Sequence, residues 1–257
     1  MFQEWILGHA PPGFRRIRSG RMQMGMVREG LGPYFSLEKL NQQTAPGRET
    51  SPFFGRGQLK LFRLENGETV LVRAYRRGGL VRRATEEIFF TWPPRPFKEL
   101  SITEEARRRG VPTLEICAAW VERTWGPFYR GWLISRELTG AYDLWSALRN
   151  ELYGGGDREF LLRAVAQNVR RMHQQGIYHR DLNLKNILIR QEGDRIRSYI
   201  IDFDKGRLFR HALPPDKANR NLSRLFRSVR KLDPDRQHFS QKDWDLFMGF
   251  YRKAAGA

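Results

Sequence analysis

The chain has one cysteine, Cys117, in 257 residues. No intramolecular disulfide and no cysteine-built zinc cluster can form, so a reducing compartment is expected. No apolar run approaches the ~20 residues a membrane-spanning helix needs. Met1 to Ala10 lacks the apolar centre of a signal peptide, so a soluble protein, or one peripheral on the cytoplasmic side, is expected. Acids are scarce: 28 Asp and Glu stand against 46 Lys and Arg, a formal net charge of +18. Such a balance favours polyanions, whether nucleic acid, an anionic lipid surface or a phosphorylated glycolipid. No helix-turn-helix, RNP-like aromatic stretch or zinc module accompanies the charge, so nucleic acid is not the expected partner. Internal repeats, low-complexity tracts and heptads are also absent. What is present, 40% hydrophobic residues with 12% aromatics, supports a packed core in one large domain or two small lobes.

The most informative stretch is His179-Arg180-Asp181-Leu182-Asn183-Leu184-Lys185-Asn186. Before it, Leu161, Leu162, Val165, Ala166, Val169 and Met172 follow helical spacing. After it come a short strand, Ile187-Leu188-Ile189, and a second, Tyr199-Ile200-Ile201, that delivers Asp202-Phe203-Asp204. An isolated His-Arg-Asp is better explained by a helix-capping turn with a solvated salt bridge. The full order is instead that of a kinase catalytic loop followed by a magnesium-binding aspartate. Phosphoryl transfer needs one carboxylate to orient the attacking hydroxyl and oxygen ligands that hold Mg²⁺ against the nucleotide phosphates. Asp181 fits the first role, Asn186 and Asp202 the second. His173 reads as a packed helix-end residue.

Residues 1–50 mix Gly, Pro, Gln and Arg without sustained periodicity and read as an N-terminal extension of loops and short elements. Residues 52–75 predict a strand pair turning at Glu65-Asn66-Gly67. Gly55 and Gly57 precede the first strand, where backbone amides can approach phosphates, although a plain turn explains two glycines equally well. Arg73 stands where a kinase hairpin presents its phosphate-binding lysine, and its planar fork is no simple replacement for an ammonium. Lys60, on the preceding strand, is the alternative phosphate contact. Residues 97–109 predict a helix ended by Gly110 and Pro112. Glu99 is the natural partner for Arg73, with Glu104 and Glu105 competing. Strands are expected around Ile116–Val121 and Trp132–Ser135, then a linker at Arg136–Gly140 with Glu137 placed for an adenine edge. Leu222, Leu225, Phe226, Val229 and Leu232 predict an amphipathic helix interleaved with Arg224, Arg227 and Arg230. From Lys205 to Lys231 nine Lys and Arg meet one acid, Asp216. A second basic cluster, Arg73, Arg76, Arg77, Arg82 and Arg83, surrounds Gly78-Gly79.

Four segments carry a family resemblance: Tyr75 to Arg83; Tyr178 to Asn183 with Asn186; Ile201-Asp202-Phe203-Asp204-Lys205-Gly206-Arg207; and Asn221 to Ser228. Together they resemble the lipopolysaccharide kinase family, most nearly its members acting on 3-deoxy-D-manno-octulosonic acid (Kdo), over about Gly55 to Leu232. Aspartate rather than glycine follows Phe203, and there is no Ala-Pro-Glu motif, which counts against a protein substrate. The resemblance implies an α+β, bilobal, protein-kinase-like fold: an antiparallel-sheet lobe with one helix over 51–137 and a mainly helical lobe over 138–257. It implies ATP and Mg²⁺, with Asp181 accepting the sugar proton, Arg73 steadying phosphates and Glu99 holding Arg73. The implied acceptor is Kdo-lipid A at the anionic inner-membrane surface, with Arg76, Arg77, Lys205 and Arg207 as contacts and no obligate protein partner. Two rivals are a heptose kinase of the lipopolysaccharide core and a nucleic-acid-binding pseudokinase.

Overall fold

A computed structural model describes residues 10–19, 22–35, 59–75 and 88–253. The chain divides into two compact units, Met1–Glu104 with Glu115–Glu137, and Glu105–Leu114 with Leu138–Ala257.

In the first unit a six-stranded antiparallel sheet runs in the order β1-β2-β5-β6-β4-β3. Its strands are β1 (Phe14–Ser19), β2 (Gln23–Arg28), β3 (Leu59–Arg63), β4 (Thr69–Ala74), β5 (Ile116–Trp125) and β6 (Phe128–Arg136). The β3–β4 turn closes at Asn66-Gly67 as predicted: the Gly67 amide donates to the Leu64 carbonyl at 2.9 Å, and Asn66 Oδ1 accepts from the Glu68 amide at 3.1 Å. Alternation along each strand sends side chains to opposite faces. One face buries Phe14, Met26 and Tyr129 against Phe97 and Leu100 of helix α1 (Arg95–Arg108). The other buries Val70, Val72 and Ile134 under Leu31 and Phe35.

Residues 14–28, read from the sequence as part of an extension of loops and short elements, form a hairpin that joins this sheet, with β2 paired to β5. Gly25 makes that pairing possible: a Cβ there would lie 2.5 Å from a ring carbon of Trp120 on the neighbouring strand. The helix expected at 97–109 begins two residues earlier.

In the second unit the predicted apolar stripe from Leu161 to Met172 is buried along α3 (Asp157–Gln174), which follows the short α2 (Leu144–Arg149). A three-stranded sheet pairs β10 (Arg195–Ile200) with β9 (Ile187–Glu192) and β9 with β7 (Tyr142–Asp143). A two-stranded pair joins β8 (Ile177–Tyr178) to β11 (Arg207–Leu208). Helices α4 (Pro215–Leu232) and α5 (Gln241–Lys253) follow. Phe226 of α4 packs on the Trp244 ring at 4.7 Å, and Trp244 stacks on Phe247.

Gly176 lets this unit's functional loop begin where it does. Its φ is +69°, and a Cβ there would lie 2.3 Å from the His211 carbonyl oxygen. Only glycine allows α3 to stop, turn and enter β8 against the 209–211 backbone, where the Phe209 amide donates to the Gly176 carbonyl at 2.7 Å. Three residues later comes His179.

Candidate active site

The second unit holds Asp181 by its backbone. The His179 ring Nδ1 accepts from the Asp181 amide at 3.1 Å, while Asn183 Nδ2 and Asn186 Nδ2 both donate to the Asp181 carbonyl, at 2.9 and 2.8 Å. Its side chain is exposed, so the fold of the loop does not depend on the carboxylate. On its other edge His179 Nε2 donates to the Ile201 carbonyl at 2.8 Å, and the Phe203 ring lies 5.0 Å from the imidazole. The Ile201 amide in turn donates to the Asn186 carbonyl at 3.0 Å. One histidine and one backbone bond therefore tie the Asp181 loop to the segment carrying Asp202.

Asp202 has φ +67°. The left-handed region costs a non-glycine residue roughly 1–2 kcal/mol, and aspartate is among the residues that tolerate it. The bonds fixing both backbone groups of Ile201 hold it there.

Behind the loop runs a buried polar chain. Asn221 of α4, fully buried, donates from Nδ2 to the His179 carbonyl at 2.5 Å, and its Oδ1 accepts from the His179 amide at 3.3 Å. The same Oδ1 accepts from His173 Nε2 at 3.2 Å, and His173 Nδ1 accepts from the Tyr251 hydroxyl at 2.8 Å. Ser228 adds a further clamp, its Oγ accepting from the Leu184 amide at 3.1 Å. His173 is thus a packed helix-end residue, as expected, but with a structural polar task.

Both histidines use Nδ1 as an acceptor, which only the neutral ring can do. Burial pushes His179 below its ordinary range, the bond to the Ile201 carbonyl opposing it. Burial likewise holds His173 down, to about 4 from 6.5, against the opposing Asn221 bond. Unfolding lets such a ring take a proton that the folded state refuses. The stability this gives is fully present above about 6.5 and is lost as pH falls toward about 4. His173 alone is expected to remove roughly 2 kcal/mol between about pH 7 and about pH 5, with His179 adding in the same direction. Denaturant midpoints across that range check this; a midpoint that holds steady or rises on acidification would contradict it.

In the first unit Arg73 Nη2 donates to Glu99 Oε2 at 2.5 Å. Glu99 is 2% exposed, and the Tyr75 hydroxyl donates to the same carboxylate oxygen. The Arg73 guanidinium also lies 5.1 Å from the Tyr75 ring centre. Both competing acids pair with other arginines. Glu104 pairs with Arg28 at 2.7 Å, and Glu105 pairs with Arg108 and Arg109, which hold its carboxyl down at about 2. Lys60 is the cross-strand partner of Val72 and so shares its face of the sheet, opposite the face that Arg73 presents to α1. The Glu137 amide donates to the Thr69 carbonyl at 3.0 Å. That N–H is therefore already used, and the remaining backbone group for an adenine edge is the carbonyl oxygen.

Of the expected acceptor contacts, Lys205 and Arg207 are exposed, and Arg207 is the strand partner of Tyr178. Arg76, Arg77, Gly55 and Gly57 lie outside the described residues. Sequence reasoning assigned no role to Tyr75, Asn221, Ser228 or Arg224, which donates to the Tyr178 hydroxyl at 2.5 Å. The available signal was Asn221 itself, an amide inside the apolar stripe of α4.

The residues present suit magnesium. With its Nδ2 committed to Asp181, Asn186 retains an amide oxygen, and Asp202 supplies a carboxylate, both hard donors. No group of three or more His, Cys, Asp or Glu able to hold a metal occurs among the described residues. A single carboxylate with an amide oxygen is what Mg²⁺ uses when phosphates and water complete its shell.

A sheet unit with an ion-paired strand arginine and a second unit with a backbone-pinned aspartate loop define a kinase-like phosphotransferase. The fold is shared with the solved structure of WaaP in complex with acyl carrier protein, at a TM-score of 0.58 and 17% identity over 89% of this chain and 88% of that one. Residues 54–251 match the family model described as Lipopolysaccharide kinase (Kdo/WaaP) family, and the chain belongs to that family. Among similar proteins is the 3-deoxy-D-manno-octulosonic acid kinase of Xylella fastidiosa (strain 9a5c), 33% identical over 187 residues, 71% of this chain and 70% of the relative. Another is the protein of that name from Vibrio parahaemolyticus, 32% identical over 223 residues, 85% of this chain and 87% of the relative.

Proposed function

We propose that the chain transfers the γ-phosphate of ATP to a hydroxyl of Kdo on Kdo-lipid A during lipopolysaccharide inner-core synthesis. The observation that carries this is the Asp181 loop, pinned through His179 and Asn186 to the segment bearing Asp202, in a chain whose relatives are Kdo kinases. Asp181 orients the sugar hydroxyl and accepts its proton. Asn186 and Asp202 would hold Mg²⁺, and the ion would supply positive charge to offset that of the nucleotide phosphates. Arg73, fixed by Glu99 and Tyr75, steadies those phosphates. The heptose-acting rival is separated by kcat/KM on Kdo-lipid A against heptose-bearing core: preference for the first supports the reading, and preference for the second replaces it.

Because Arg73 and not Lys60 faces Glu99, Arg73→Ala is expected to raise the KM for ATP at least about tenfold, the value of one charge-assisted hydrogen bond. Lys60→Ala is expected to leave it within about twofold. The reverse pattern would move the phosphate contact to Lys60.

Peripheral association with the inner leaflet is supported by the net charge and by an aromatic cluster at the β5–β6 turn. There Trp125, 73% exposed, stacks on Phe128 at 5.2 Å beside exposed Phe90. The amphipathic indole of an exposed tryptophan settles at the headgroup level of a bilayer, and exposed phenylalanine adds apolar contact there. No described helix is long and apolar enough to cross a membrane. Co-sedimentation with acidic-lipid vesicles tests the location; protein left in the supernatant at low salt would rule it out.

A further inference from the structure

Arg220, Arg224, Arg227 and Lys231 of α4 follow one another at four, three and four residues, which sets them in one stripe along the helix. The adjoining side of the same helix grips the catalytic loop, through Asn221 to His179 and Ser228 to Leu184. Arg224 itself is hydrogen-bonded to Tyr178, the residue before His179, and its guanidinium lies 5.7 Å from that ring. Arg207, exposed on β11, is the strand partner of the same tyrosine. The basic stripe therefore borders the loop that presents Asp181.

This stripe is poorly compensated. Asp216 is the only acid in the helix; it pairs with Lys217 at 3.1 Å and, one turn on, meets the field of Arg220. Nothing acidic on α4 answers Arg224, Arg227 or Lys231, and like charges three and four residues apart repel on a helix. Arg220, Arg227 and Lys231 are exposed and hold up no part of the core. A self-repelling row of cations about 16 Å long at the helical rise, beside the catalytic carboxylate, is what an extended acceptor with several anionic groups requires.

We infer that Arg220, Arg227 and Lys231 form a binding track for the phosphate groups of the acceptor's lipid-linked saccharide. The track takes these phosphates while the sugar to be phosphorylated lies at Asp181, and Arg224 fixes the helix to the loop. Guanidinium forks suit phosphate oxygens, and exposed lysine adds a point charge. This assignment rests on the acceptor reading above.

The test compares the wild type with the triple variant Arg220→Ala, Arg227→Ala, Lys231→Ala. The substrates are Kdo-lipid A and the same acceptor stripped of its phosphates, each dispersed in neutral detergent. Wild-type enzyme is expected to show a KM at least about tenfold lower for the phosphorylated acceptor, and the variant to show no preference, with ATP affinity unchanged. A variant that keeps the wild-type preference would overturn the track. So would a variant that loses only acidic-vesicle binding, which would make the stripe a membrane contact, or only RNA binding. If wild-type protein phosphorylates neither acceptor, the acceptor reading itself fails. Thermal shift with the phosphorylated disaccharide and no ATP then decides the track alone: a shift in the wild type that is absent in the variant supports it, and equal or absent shifts overturn it.

Discussion

Asp181→Asn is expected to lower kcat by about 10²–10⁴-fold, the usual contribution of a positioned general base, while the KM for ATP and the melting temperature stay near wild type. Asparagine has the shape of aspartate but cannot take the hydroxyl proton. The fold should not register the change, because the loop is held through the Asp181 amide and carbonyl and through Asn183, Asn186 and His179. That separation makes the variant informative. A loss of turnover together with a loss of folding would mean that the carboxylate is structural, and retained turnover would remove Asp181 from the chemistry.

Asn221→Leu is expected to have the largest effect on stability. Leucine has the branching and the number of side-chain heavy atoms of asparagine, so the change removes hydrogen bonds without opening a cavity. It strips partners from the His179 carbonyl, the His179 amide and His173 Nε2, all buried. Each orphaned buried group costs about 1–3 kcal/mol, so a loss of about 3–5 kcal/mol follows, a large part of a typical domain's stability. For a unit of this size the melting temperature should fall by roughly 10 °C. Because Asn221 acts through His179, kcat should fall as well, with the KM for ATP little changed, and Asn221→Ala should share the pattern. A melting point within about 2 °C of wild type would show that the chain of buried bonds carries no weight.

These two residues mark the boundary of what the sequence discloses. Asp181, Asn186 and Asp202 are close in sequence, and the β9–β10 hairpin returns the chain from Asn186 to Ile201, so order and spacing suffice. The Asn66-Gly67 turn and the buried stripe of α3 are legible for the same local reason. The task of Asn221 is not legible, because its partners lie 42 and 48 residues away and only the packing of α4 selects them. Choosing Glu99 over Glu104 and Glu105 likewise needs the fold, which gives Glu104 to Arg28 and Glu105 to its own helix.

The β1–β2 hairpin failed as a sequence signal for a physical reason. The four central residues of β2 are all buried, so no alternation of polar and apolar residues marks it as a strand. Gly25, a discouraging residue in a strand, is there to clear the Trp120 ring. Arg73 illustrates the opposite case. Its position in the hairpin was readable from the Asn66-Gly67 turn and the apolar run Val70-Leu71-Val72, and the structure pairs it with Glu99.

The most direct test of the account is where the phosphate lands. Purified protein incubated with ATP, Mg²⁺ and Kdo-lipid A is analysed by fragmentation mass spectrometry of the product. A gain of one phosphate on the Kdo fragment, with the lipid A fragment unchanged and no gain when Asp181→Asn replaces the wild type, is the expected result. Phosphate on the lipid A fragment, or an unmodified acceptor alongside transfer to heptose-bearing core, would contradict it.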